Sequence, residues 1–130
     1  MTAISADIMP FAKTLGVEII EASATRVVAT LLVRPDLCTM GGTLHGGAVM
    51  ALADSVGAIG AYLALPPGAK GTTTLESKTN FLGSAKSGTI VTADATPAHA
   101  GRTTSVWQTK ITSADGKAVA LVTQTQLVLT

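Results

Sequence analysis

Aromatic side chains are nearly missing from this sequence, which has one Trp, one Tyr and two Phe in 130 residues. Basic clusters are missing too: nine Lys and Arg are scattered along the chain against eight Asp and Glu. Without rings to stack on bases, or a concentrated positive face to neutralise phosphates, the chain is not built to bind nucleic acid. A single cysteine, Cys38, excludes an internal disulfide and a multi-cysteine metal site. It reads as a small hydrophobe rather than a nucleophile. The two histidines, His45 and His99, stand on separate elements without paired carboxylates, so no metal constellation is expected. The opening MTAISADIMPFAK has neither the basic start nor the apolar run of a secretory signal, and the expectation is a cytoplasmic protein.

What the chain does have is 47% hydrophobic residues, only 13% charged ones, and an abundance of Ala, Thr, Val and Gly. Small and β-branched side chains suit sheets and close backbone packing. The length predicts one domain over residues 1–130 with a single core. So little charge beside so much apolar surface also suggests that another subunit covers part of it.

Along the chain, residues 5–16 read as a short helix or helical turn that Ser5 can cap and Gly16 stops. Pro10 lies near its first turn, and Ile8, Met9, Phe11, Ala12 and Leu15 form an apolar side. Two β-like runs, VEIIEA and TRVVATLLV, follow between Val17 and Val33, and RPDLCTMGG reads as a loop. Beyond the turn PPGAKG the pattern alternates with period two. In TTLESKTNFL, Leu75, Ser77, Thr79 and Phe81 share one face. TIVTADAT, RTTSVWQTKITS and KAVALVTQTQLVLT then follow, separated by PAHAG and the hairpin signal ADGK. About four strands with short connections predict an antiparallel meander.

Between these halves lies TLHGGAVMALADSVGAIGAYLAL, whose stretch from Ala48 to Leu65 carries one charge, Asp54. Its length is that of a minimal membrane span, but Asp54, Ser55, Gly57 and Gly60 interrupt it and no basic anchor flanks it. It reads instead as a helix buried in a globular core, enclosed by the sheet. Helical spacing puts Met50, Asp54, Gly57, Ala58 and Ala61 on one side, which would leave room beside the carboxylate.

LHGGAVMALAD, TTTLESKTNFLGSAKSG and HAGRTT, in that order, resemble the hotdog-fold acyl-CoA thioesterases, the phenylacetate-degradation and 4-hydroxybenzoyl-CoA branch in particular. The resemblance covers roughly residues 30–129 and implies an α+β hotdog fold, an antiparallel sheet of five to six strands wrapped around one long central helix. It also implies thioester hydrolysis in a site shared by two chains, His45 placed near the thioester, and Thr74 facing the nucleophilic water. Relatives often carry Asn or Gln six residues before this histidine, to hold substrate or water. This chain has Thr39 there, whose hydroxyl can do part of that work.

The residues support the chemistry independently. Gly46 and Gly47 open the helix, where free amides and a partial positive charge would polarise a thioester carbonyl that glycine lets approach. Asp54 can act as a general base on water or attack the carbonyl itself. Eight residues at helical rise separate Gly46 from Asp54 by about 12 Å, too far for one carbonyl to touch both. Two antiparallel helices in a dimer, with Gly46 of one chain facing Asp54 of the other, resolve this. His45 orients the carbonyl or shapes the helix start. Lys78, Lys86 and Arg102, the last beside Gly101 in a turn, are candidates for coenzyme A phosphates. The sequence therefore predicts a thioesterase acting on a small aryl- or acyl-CoA, homodimeric or homotetrameric, with coenzyme A entering only as part of the substrate and no resident cofactor. The rivals are a non-catalytic acyl-CoA sensor, which needs no base, and an enoyl thioester hydratase, which wants an Asp–His pair on one loop–helix unit.

Overall fold

A computed structural model describes residues 4–130. After a 3-10 turn at Ala6–Ile8 come helix α1 (Pro10–Leu15), strands β1 (Glu18–Ala22) and β2 (Val27–Leu32), the long helix α2 (Gly46–Leu63), and strands β3 (Gly71–Phe81), β4 (Ile90–Ala100), β5 (Thr104–Thr112) and β6 (Ala118–Leu129). The strands form one antiparallel six-stranded sheet in the order β1-β2-β4-β5-β6-β3. It wraps α2 in the hotdog arrangement.

Alternation on the strands supplies the inner face. Val27, Ala29, Val91, Ala93, Ala95, Trp107, Ile111 and Val122 are sealed from solvent. Leu52, Ala53 and Val56 of α2 pack down on them with no exposure of their own. The glycines in the helix are explained by this contact. A Cβ at Gly60 would lie 2.5 Å from the Trp107 ring, and one at Gly57 would run into the Gln124 amide. Small residues thus let the backbone of α2 settle onto two bulky inward side chains.

Four expectations need correction. First, the N-terminal helix breaks in two: Ser5 caps only the 3-10 turn, accepting from Asp7 N–H at 3.1 Å, and α1 restarts with Pro10 at its first position. The apolar side divides: Ile8 and Phe11 are exposed, while Ala12 and Leu15 face the core. Second, the strands after the helix are not one meander. Only β4, β5 and β6 run as neighbours, and β3 crosses to the far edge beside β6. Third, β4 continues through Pro97 to Ala100, where the sequence suggested a loop. The reason is local: β2 pairs with β4 only as far as Ala95, so Pro97 lies past the partner that would need its N–H, and a bulge at Ala98 carries the strand on. Fourth, Leu75 does not share a face with Ser77. It is the extra residue of a bulge, so that Thr74, paired with Gln126, and Ser77, paired with Gln124, both face α2.

At the other edge of this core, Arg26 grips Asp94 of β4 through Nε at 3.0 Å and Nη2 at 2.8 Å. Those hydrogen bonds hold the Asp94 carboxyl below the usual carboxylate range.

Candidate active site

Helix α2 begins where it does because His45 adopts extended geometry and turns its ring back as the cap. Its Nδ1 accepts from Gly47 N–H at 2.7 Å, and its carbonyl accepts from Ala48 and Val49 at 2.9 and 3.1 Å. Among the described residues no group takes the Gly46 N–H, which lies at the positive end of the helix dipole. With Nδ1 accepting, the ring proton of a neutral imidazole sits on Nε2, on an exposed side chain. Of the two roles the sequence left open for His45, the structure shows the helix-shaping one. Gly46 also lacks a side chain for a reason the sequence hides: the Phe81 ring lies against it, and a Cβ would stand 3.2 Å from Cε1.

Two turns along, Asp54 is exposed on the side of α2 that the sheet leaves bare. Thr74 Oγ1 donates to its Oδ1 at 3.4 Å, long for this type of bond. The bare stripe runs Met50, Asp54, Ala58, Tyr62. Gly57 and Ala61, expected beside the carboxylate, are buried instead. Rows of every fourth residue slant across a helix, so the stripe drifts away from position 61, while position 57 turns onto the sheet.

The remaining candidates divide between the two ends of the molecule. Thr39 is exposed in the loop before His45, its N–H bonded to the Thr43 carbonyl at 2.8 Å, and Lys86 bridges to Thr43 of that loop. Thr39, His45, Gly46, Gly47 and Lys86 therefore gather at the helix tip. Lys78 alternates with the inward Ser77 and Thr79 and so lies on the outer face of β3. Gly101 and Arg102 form the β4–β5 turn, with Gly101 N–H bonded to the Thr104 carbonyl at 2.9 Å. This is the far end of β4 from Lys86, about 30 Å away at ordinary strand rise. One chain does not bring Lys86 and Arg102 together.

The sequence reading missed two features. Lys117 shares an open cleft of about 560 Å³ with Lys86, lined also by Leu82, Ser113 and Asp115. Nothing local tells that the β5–β6 hairpin and the β3–β4 loop meet. Gln126 reaches Thr74 Oγ1 through Nε2 at 2.7 Å. Two glutamines among the otherwise apolar inward positions of β6 were a legible signal of a polar function under the helix.

Set beside known proteins, residues 41–120 match the family model described as the thioesterase superfamily. The 1,4-dihydroxy-2-naphthoyl-CoA hydrolase of Listeria monocytogenes is 34% identical over 113 residues, 87% of this chain and 90% of that protein. Among solved structures, the E. coli PaaI protein from the phenylacetic acid degradation operon aligns with a TM-score of 0.86 and 25% identity, over 95% of this chain and 87% of its own. A hypothetical thioesterase from Streptococcus pneumoniae, solved with coenzyme A, aligns with a TM-score of 0.78 and 30% identity, over 86% and 84%. The sensor and hydratase readings give way to hydrolysis: this chain belongs to the thioesterase superfamily, and its hotdog domain is that of a thioester hydrolase.

Proposed function

We propose that the protein hydrolyses a small aryl- or acyl-CoA thioester to the free acid and coenzyme A, in a site completed by a second copy of the chain. The observation that carries this is the position of Asp54, exposed on the bare stripe of α2 and touched by the Thr74 hydroxyl, on the same helix as the uncommitted Gly46 amide. Gly46 N–H donates to the developing oxyanion, and Asp54 activates a water for attack on the carbonyl carbon or attacks it directly. The roughly 12 Å between the two groups makes a neighbouring chain's helix the natural supplier of the other half.

The surface supports such a pairing. Met50 and Tyr62 on the bare stripe, Leu75 and Phe81 of β3, and Leu82 just past its end, are large apolar side chains left in solvent. Strand β3 is an open edge of eleven residues, the kind of feature proteins usually cover. Burying both at once sets two α2 helices side by side. A homodimer is the minimum, and pairs of dimers are compatible with it.

For the acyl group, a cavity of about 310 Å³ opens one helical turn past Asp54, lined by Ile4, Ile8, Met9, Ala58, Tyr62 and Thr72. Its lining suits an aryl or compact aliphatic group. The Lys86–Lys117 cleft offers charge for coenzyme A phosphates at the helix tip, with His45 Nε2–H and the Thr39 hydroxyl near the carbonyl. Arg102 then serves the adjoining chain's site or a separate phosphate.

The test is free-thiol release across a panel of acyl-CoAs by the wild type and by Asp54→Asn, with oligomeric mass measured by light scattering. Loss of a general base predicts a fall in kcat of about 10²–10⁴-fold. Turnover by Asp54→Asn at the wild-type rate, or full activity from a species with the mass of one chain, would remove the proposed arrangement.

A further inference from the structure

The inner face of β6 presents two glutamines beneath α2, and they have opposite fates. Gln124 has no exposure, and neither atom of its amide finds a partner among the described residues. Gln126 is 1% exposed and bonded at both amide atoms: Nε2 donates to Thr74 Oγ1 at 2.7 Å, and Oε1 accepts from Thr72 Oγ1 at 3.1 Å. Burial of the same polar group two residues apart, with bonds at only one site, ties the bonded one to its location.

The direction of these bonds follows from proton counting. A carboxylate only accepts, so the bond between Thr74 and Asp54 takes the one hydroxyl proton of Thr74. Thr74 must then meet Gln126 with a lone pair, which requires the amide NH2 on that side and the amide oxygen on the other. Thr72 fixes this orientation by donating to Oε1. The bonds thus run one way, from Thr72 to Gln126 to Thr74 to Asp54. Were the amide reversed, Thr74 would spend its proton on Gln126 and turn a lone pair toward the carboxylate.

We infer that Gln126 is a positioning residue for hydrolysis: from beneath the sheet's edge it aims the Thr74 hydroxyl proton at Asp54, fixing Oδ1 so that Oδ2 faces the open side. The inference rests on the assignment of Asp54 as the reacting carboxylate. The bulge at Leu75 is part of the device, because it brings Thr74 onto the face of Gln126 while β3 keeps its register farther along. Gln126 is buried with its amide oxygen and nitrogen bonded to Thr72 and Thr74, so its influence should fall on turnover rather than binding.

The experiment compares Gln126→Met, close in shape but unable to bond, with Thr74→Val and the double variant, on the best acyl-CoA from the panel. Melting temperature is followed throughout. Expected is a fall in kcat of about tenfold for Gln126→Met with KM within about twofold, a similar fall for Thr74→Val, and no further loss in the double variant. In a Thr74→Ser background, which keeps the hydroxyl, Gln126→Met should again lower kcat. Unchanged kcat, a rise in KM alone, or losses that multiply in the double variant would each overturn the inference. If Gln126→Met does not fold, Gln126→Glu keeps shape and polarity while its carboxylate draws the Thr74 proton away from Asp54. The same fall in kcat is then expected, and wild-type kcat would overturn the inference. Asp54→Asn separates the two levels. An inactive Asp54→Asn with a fully active Gln126→Met leaves the proposed function standing and sinks this role alone.

Discussion

The contact between Gly60 and Trp107 can be tested by adding one methyl group. In an isolated helix Gly60→Ala is stabilising by about 1 kcal/mol, since alanine restricts the unfolded backbone and favours helix. Here the new Cβ would stand 2.5 Å from Cη2, 2.5 Å from Cζ3 and 2.8 Å from Cε3 of Trp107, a ring with no exposure to solvent. To reach ordinary contact the ring or the helix must move by about 1 Å, in an interior packed as densely as an organic crystal. Overpacking of this kind costs about 1–3 kcal/mol, and three atoms of one rigid ring put it at the upper end. The net expectation is a loss of about 2 kcal/mol, a drop of roughly 5–10 °C in Tm. Gly57→Ala is the internal comparison, because it meets the end of the Gln124 side chain instead of a ring and should cost less. Urea denaturation of the three proteins at equal concentration decides it. A Gly60→Ala protein as stable as wild type, or more so, would refute the account of how α2 sits on the sheet.

Other outcomes follow from the same structure. His45→Ala removes the ring that caps Gly47 and should lower stability by about 1 kcal/mol in urea, with His45→Asn restoring most of it. The Arg26–Asp94 pair gives a pH signature. The folded-state pKa of Asp94 is depressed, so its stabilisation is present above the unfolded value near about 3.9 and lost as pH falls through the lower folded value. Unfolding midpoints measured from pH 6 down to pH 3 should therefore fall less steeply in Asp94→Asn than in wild type. Exchanging Lys86 and Lys117 together for Gln should raise KM for an acyl-CoA while leaving kcat for a small thioester without phosphates unchanged.

Much of this was legible in the sequence because its signals are local. The His-Gly-Gly start of α2, the apolar run behind it, the turn at Gly68 and the Asp-Gly hairpin each announce themselves within a few residues, and the structure places them there. Long-range placement was not legible. No property of β3 says that it will pair with β6 instead of β4, and Pro97 reads as a breaker until the length of β2 is known. The candidate site follows the same division. His45 and Gly46 open α2 and Asp54 follows two turns later, so a motif resembling the family's could be read in one continuous stretch, whereas the tie between Gln126 and Thr74 spans 52 residues and exists only once two strands are registered.

The unpaired residue at Leu75 acts as a phase shift in β3, half a period inserted midway, so that both halves of the strand present the side chains α2 requires. A gene losing that one codon would yield a chain of nearly identical composition whose first four β3 residues were turned inside out, or whose partner had slipped. Deletions should therefore be far less tolerated at this point than substitutions, which makes Leu75 a position where length matters more than chemistry.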